Sequence, residues 1–359
     1  MARRTLASIN TDNLIHNVSR VRSLAPTSKI MACVKANAYG HGLLTVANAL
    51  EGQVEGLAVA FLDEALALRS DGIRAPLLVL EGPHTSAEVS AAAASDIILM
   101  ICDEQQLNWV RLSDEGGRPA CWLKIDSGLY RLGLTASAAK DAFTELSALL
   151  SHQEPPVLCT HFARADNPED PTTHEQLALF DKATESLAAD HSCANSAAVI
   201  AHQESQREWV RPGYMLYGGS PVRGMSREEL DLKATMEFSA SVISVRDVPV
   251  GGRVGYGGRW VASRPSRIAT IAVGYGDGYP RHMKDGTPVL IDGVRCPLAG
   301  RVSMDLITVD VSHHQTVQVG STAILWGDAL SIDEIAEGAD TIGYELLASM
   351  PARAPRRVG

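Results

Sequence analysis

The chain lacks long apolar runs, closely spaced cysteines and an excess of basic charge. No run of about 18 apolar residues occurs among its 359 positions, so no helix is expected to cross a membrane. The N-terminus, MARRTLASINTDNL, carries two arginines without an apolar segment behind them and does not read as a secretory leader. Six cysteines, Cys33, Cys102, Cys121, Cys159, Cys193 and Cys296, are scattered, with none closer than Cys102 and Cys121. The absence of C-x-x-C spacing removes support for a zinc ribbon or a redox pair, and no metal site is expected. Single cysteines of this kind read as small buried hydrophobes in a reducing, cytoplasmic setting. Lys plus Arg number 32 against 42 Asp plus Glu, a net charge of −10. A chain this acidic has no general footprint for nucleic acid, although a few arginines suffice for a small anion. Neither G-x-G-x-x-G nor a Walker loop occurs, so nucleotide binding through those motifs is excluded.

What is present is ordinary globular composition, 45% apolar and 21% charged, at a length suited to about two domains. The first two thirds alternate short apolar runs with helical patterns. Strands are expected at 5–9, 29–34, 57–61, 77–80, 97–101, 122–125 and 157–160. Asn10, Thr11 and Asp12 precede a helical face of Leu14, Val18 and Val21, and Leu43, Val46, Ala47 and Leu50 recur at helical spacing. Gly72 stands where a helix-ending glycine belongs. Continuous apolar strands between helices imply a parallel sheet covered on both faces. About seven or eight such units fit a TIM-type (β/α)8 barrel better than a smaller doubly wound sheet. After residue 231 the texture becomes β-rich, with strands near 239–245, 267–273, 288–291, 306–311 and 322–326 parted by glycine turns. A last helical pattern runs over 331–336. The expected organisation is an α/β chain, with a (β/α)8 barrel over 1–231 and a mostly-β domain over 232–359.

Several segments carry candidate chemistry. Lys35 ends an apolar strand and is followed by Ala36-Asn37-Ala38-Tyr39-Gly40-His41-Gly42. In a barrel the C-terminal strand ends carry the reaction, so Lys35 is a candidate nucleophile or base, set against the plain reading of a lysine snorkelling at a strand end. Lys124 lies inside the strand pattern Trp122–Ile125, where an unpaired charge is costly and needs a partner or a modification. Arg131 follows the next turn. His161 stands at another strand end. Ala194-Asn195-Ser196 and Arg211-Pro212-Gly213-Tyr214 offer hydroxyl and backbone N–H donors of the kind that hold phosphate on late barrel loops, though Pro-Gly makes turns regardless. Tyr256 and Tyr275 are flanked by glycines on turns.

Seven strings in order along the chain resemble the alanine racemases: VKANAYGHG at 34–42, LKIDSGLYRLG at 123–133, HFARAD at 161–166, WVRPG at 209–213, VGYGGRW at 254–260, VGYGDGYPR at 273–281 and GRVSMD at 300–305. The resemblance implies a barrel that binds pyridoxal 5′-phosphate (PLP) covalently through Lys35, followed by a β domain. It implies Tyr39, Ser196, Gly213, Tyr214 and Tyr344 around the phosphate, Arg211 at the pyridine nitrogen, and His161 beside the cofactor. It implies L-alanine/D-alanine interconversion by two bases, Lys35 for D-alanine and Tyr256 for L-alanine, Tyr256 being donated by the partner in a homodimer. A tyrosine base needs a positive neighbour, and His161 with Arg211 behind it is the expected source. Arg131 and the Met304 backbone would meet the substrate carboxylate with Asp305 beside them, Tyr275 would line the entrance, and Lys124 matches the lysine that many members carry as a carbamate. The implied role is D-alanine supply for peptidoglycan. Broader or serine specificity is an alternative reading, because Gly128-Leu129-Tyr130 stands where the family has Gly-Met-Asn and Ser303 where some members have Cys. A barrel-type PLP decarboxylase and a non-catalytic PLP carrier are weaker readings: the chain lacks the glycine-rich phosphate loop and Cys-based β-domain motif of the first, and has a β domain that the second does not. The basic tail 351–359 departs from the usual ending and is given no role.

Overall fold

The computed structural model describes residues 5–359; the arginines of the N-terminal reading lie outside the described residues. Eight parallel strands form a closed barrel: Lys29–Cys33, Gly56–Val59, Leu77–Val79, Ile97–Ile101, Cys121–Asp126, Val157–Cys159, His191–Asn195 and Trp209–Arg211. Ile97–Ile101 pairs with Cys121–Asp126 and Trp209–Arg211 pairs back onto Lys29–Cys33, so the sheet has no free edge. The strands are nearly continuous apolar runs because both faces are covered, inside by side chains and outside by helices. Gly56–Val59 and Leu77–Val79 are buried at every position. The first outer helix, Thr11–Leu24, begins where Asn10 Oδ1 accepts from the Asn13 N–H and buries Leu14, Val18 and Val21. Gly72 follows the C-cap of helix Leu62–Ser70 with φ +94.

The second domain is built on the long strand Met236–Val248, which pairs antiparallel with both Ser266–Ile271 and Thr322–Trp326. Pro288–Ile291, Val294–Pro297 and Ile307–Asp310 extend the sheet. Helices Ile332–Gly338 and Gly343–Ala348 return from it toward the barrel. No described helix is long and apolar enough to cross a membrane.

Two elements differ from the expectations. The strand Leu6–Ile9, read as the first of the alternating series, pairs antiparallel with Met236–Val248 in the second sheet. A short apolar strand carries no signal of which sheet it joins. The tail, given no role above, forms the strand Arg356–Val358 parallel to Leu6–Ile9. Arg356 Nε also donates to the Gly40 carbonyl at 2.9 Å, tying the tail to the loop after Lys35.

Candidate functional site

Lys35 leaves the strand Lys29–Cys33 at the C-terminal barrel face, one residue past Val34. The next four residues, Ala36, Asn37, Ala38 and Tyr39, all have φ between +50 and +56. A left-handed turn of non-glycine residues costs about 1–2 kcal/mol per residue, and it persists only where surroundings over-determine it. Here Asn37 Oδ1 accepts from the Leu43 N–H at 2.8 Å and the Asn37 carbonyl accepts from the Gly42 N–H at 3.0 Å. The Tyr39 ring stacks on Tyr217 at 4.7 Å. Gly40 closes the turn at φ +76, where a Cβ would lie 1.9 Å from the Leu347 carbonyl oxygen, so only glycine fits. The glycine-rich pattern announced a turn; its left-handed run of alanine, asparagine and tyrosine left no signal in the sequence.

Lys35 and Tyr39 face a cavity of about 340 Å³ at the barrel mouth. Lys124 lines it from within the strand Cys121–Asp126, Arg131 from the loop that follows, His161 from just past Val157–Cys159 and Arg211 from the end of Trp209–Arg211. Ser196, Gly213, Tyr214 and Tyr344 close one end. Ten of the residues singled out in the sequence thus meet in one place. Glu81, Cys33 and Asn195 also line it, and sequence reasoning missed Glu81 and Cys33. Four cations against one carboxylate make this an anion-binding cavity within an acidic protein.

Its charges are held in distinct ways. Arg211 is 5% exposed and has no ion-pair partner among the described residues. Its Nη1 donates to the Ser192 carbonyl at 2.7 Å and the Ser192 hydroxyl at 2.6 Å, and its Nη2 donates to the Thr160 carbonyl at 2.5 Å. The guanidinium is therefore locked by neutral acceptors and keeps its full charge for the cavity. Lys124 is 7% exposed and likewise lacks an ion-pair partner among the described residues. His161 is pushed well below its usual pKa by loss of water and by the charges of Arg211, Lys124, Arg131 and Lys35. It is thus a neutral imidazole, and the positive field expected from it comes instead from the cations around it.

The end of the cavity at Ser196 is a set of neutral donors. Ser196 Oγ accepts from the Gly213 N–H at 2.8 Å, leaving its own O–H to donate. A Cβ on Gly213 would lie 2.4 Å from Tyr39 Oη, so glycine keeps this cradle open. Burial pushes the Tyr39 and Tyr344 phenols well above their usual range, so both stay protonated and can donate. The Tyr214 ring stacks on Tyr344 at 3.8 Å, but its hydroxyl donates to Asp333 Oδ1 at 2.5 Å. Tyr214 therefore contributes ring surface and positions Tyr344, which arrives from the second domain.

Tyr256, Tyr275, Met304 and Asp305 lie elsewhere: none lines this cavity. All four are exposed on the second domain, forming a rim: Gly255, next to Tyr256, lies against the Arg301 backbone of the segment that leads to Met304. The Tyr275 N–H donates to the Ser303 carbonyl at 3.0 Å and the Gly276 N–H to the Met304 carbonyl at 2.9 Å. Tyr256, in the turn joining Arg253–Val254 to Trp260–Val261, is 71% exposed. The tail residue Arg353 reaches this rim, pairing with Asp305 and, at 3.3 Å, with Asp277.

Comparison with known proteins agrees with this architecture. Residues 9–221 match the family description "Alanine racemase, N-terminal domain" and residues 235–358 match "Alanine racemase, C-terminal domain". The chain is 44% identical to an alanine racemase of Alteromonas mediterranea over 358 residues, covering 100% of this chain and 99% of that one. Among solved structures, the biosynthetic alanine racemase of Pseudomonas aeruginosa is 41% identical with a TM-score of 0.95, covering all of both chains. An alanine racemase of Bartonella henselae with covalently bound pyridoxal phosphate is 27% identical with a TM-score of 0.89, again over all of both chains.

Proposed function

Because the chain belongs to the alanine racemase family, we propose that it interconverts L-alanine and D-alanine with PLP held in the barrel cavity and the catalytic work shared between two copies. The observation that carries this reading is the single cavity that sets Lys35 beside fixed Arg211 and opposite the neutral donors of Ser196, Tyr39 and Tyr344. The residues fit the cofactor: an amine for its aldehyde, a donor cradle for its phosphate, a cation beside its ring. When bound, PLP supplies an electron sink for negative charge at the substrate Cα.

The protein's own groups do the rest. Ser196 O–H, Tyr39 O–H and Tyr344 O–H would hold the phosphate, with the Gly213 backbone beside them kept open by its lack of a Cβ. Arg211 is the residue that would meet the pyridine nitrogen, and its guanidinium cannot readily give up a proton. By withholding a proton from the ring, Arg211 would favour proton exchange at Cα over transamination. Arg131 meets the substrate carboxylate, and Lys124, buried without an anionic partner, is a place where a carbamate would turn a costly cation into an anion able to hold Arg131. Lys35 Nζ takes and returns the Cα proton on the D-alanine side. Tyr256 Oη of the partner subunit does so on the L-alanine side, with neutral His161 available as its hydrogen-bond partner and Arg211 behind. One base on each face is the simplest route to inversion: when one base removes the proton from its face, the other delivers a proton to the opposite face. Tyr275, Met304 and Asp305 of the same rim would border the substrate entrance. D-Alanine produced this way suits a supply role for peptidoglycan.

The test follows optical rotation of L-alanine and of D-alanine separately with PLP-loaded protein. Rotation is expected to vanish from both enantiomers without release of CO2 or pyruvate. An unchanged rotation, or CO2 release, overturns the reading. Transamination by-products should rise in Arg211→Glu; if they do not, the role given to Arg211 is wrong.

A further inference from the structure

On the outer surface of the barrel, away from the cavity, three side chains converge. His174 lies in the first turn of helix Thr172–Thr184, His202 ends helix Ser196–Ala201, and Glu204 sits in the following 3-10 turn, Gln203–Ser205. Each offers one ligand atom, and these atoms all lie within 4.8 Å of one another. Glu204 Oε1 stands 3.1 Å from His174 Nε2 and 3.7 Å from His202 Nδ1. Tetrahedral zinc, with bonds near 2.0–2.1 Å, sets its ligands about 3.4 Å apart, so two of the three spacings are close to that value as they stand.

His202 is the second, independent observation. It is 1% exposed, yet neither ring nitrogen has a hydrogen-bond partner among the described residues. A buried imidazole without partners has lost its water hydrogen bonds with nothing to replace them, and Nδ1 looks toward Glu204 from beyond hydrogen-bond distance. A cation between them satisfies Nδ1. The turn that carries His202 and Glu204 is already braced: the Ser205 N–H and O–H both donate to the His202 carbonyl, at 2.9 and 2.7 Å, and Gln206 Nε2 donates to the Val199 carbonyl at 2.8 Å. These two ligands therefore need little reorganisation, and His174 is held separately on its helix.

We propose that His174, His202 and Glu204 form a binding site for a divalent first-row transition ion. Two imidazoles and a carboxylate suit Zn2+ over the all-oxygen preference of Ca2+ and Mg2+. Three protein ligands leave a fourth position for water. The ion would clip helix Thr172–Thr184 to the end of helix Ser196–Ala201, whose first residue is the Ser196 of the cavity. The site is separate from the proposed racemase chemistry, and none of its residues touches the cavity.

The experiment uses tag-free, PLP-loaded protein, full length, and compares it with the double variant His174→Ala/Glu204→Gln. Both changes fall on exposed side chains, so folding is preserved, and PLP is common to both proteins, so any ion on the cofactor cancels in the comparison. Zn2+ is titrated in competition with a chromophoric chelator, and Co2+ is added to read the visible bands of a low-symmetry site. The wild type is expected to take one Zn2+ per chain at least about tenfold more tightly than the variant, and Zn2+ should raise the thermal midpoint of the wild type alone. Equal affinity in the two proteins, or an equal thermal shift, overturns the proposal.

Discussion

At the barrel mouth, Arg211 is 5% exposed and donates to fixed carbonyls; on the rim of the second domain, Tyr256 is 71% exposed. The first region is a finished environment, with its charge locked by neutral acceptors and its histidine kept neutral by the cations around it. The second presents its candidate base to solvent, where a phenol has no preorganised partner. Under the proposed function, the difference teaches that one chain carries two half-sites of opposite character. A buried cavity supplies electrostatics and binding, and an exposed rim supplies a group that gains a dry setting only against a second surface. This is the physical content of the proposed two-copy site.

The largest expected effect breaks the comparison directly. Lys35→Ala and Tyr256→Phe homodimers should each lose about 10^2- to 10^4-fold in racemisation rate. Mixed and reassembled, the two variants should regain about a quarter of wild-type activity, since half the dimers carry one intact site of two. Failure of the mixture to regain activity would show that the rim does not serve a partner's cavity.

The next effect belongs to the buried half alone. His41 is 0% exposed, and burial lowers its pKa to about 4, although its Nδ1 lies 2.8 Å from the Tyr39 carbonyl. As pH falls below 6.5 the unfolded chain takes up a proton that folded His41 refuses, so stability is lost on acidification. Between pH 7 and pH 5 this loss is about 2 kcal/mol from His41, and the depressed pKa of His161 adds in the same direction. His41→Gln should flatten the slope of urea-unfolding free energy between those pH values; an unchanged slope removes His41 as its source.

A smaller change sharpens the cavity reading. Ser196→Ala deletes one neutral donor from the cradle and leaves the Gly213 N–H unpaired. PLP affinity, measured by fluorescence titration of the cofactor-free protein, should fall about tenfold, the equivalent of one good hydrogen bond. The smallest expected effect probes the rim: Arg353→Ala, which frees Asp305, should raise KM for alanine about two- to threefold with kcat nearly unchanged, as suits a solvent-exposed ion pair. A drop in kcat alone would give Arg353 a different role.

Six of the eight barrel strands and the residues at their ends were legible because each is a local pattern; His191–Asn195, polar at both ends, and the three-residue Trp209–Arg211 were not among the expected strands. A continuous apolar run closes into a doubly covered strand, and a lysine or histidine at its end points to the mouth. The partnership of Leu6–Ile9 with Met236–Val248 was not, nor was the tail strand Arg356–Val358. Pairing across more than two hundred residues leaves no trace in a four-residue apolar run. Tyr130 was noted as a departure from the family turn; the structure adds that it sits at φ +55 and 90% exposed. An asparagine tolerates that conformation better than a tyrosine does.

By itself, then, the sequence determined the α/β alternation, the β-rich second domain and the inventory of groups that could act, since these follow from periodicity and residue type. Only the tertiary structure decided which of those groups meet. It brought Lys35, Arg211 and Ser196 to one cavity and left Tyr256 on a separate rim. It turned the Tyr214 hydroxyl to Asp333, kept His161 neutral, and set His174, His202 and Glu204 side by side. Proximity between residues distant in sequence, and the burial that sets their protonation, arise from closing the barrel and docking the second domain onto it, and no local pattern encodes either.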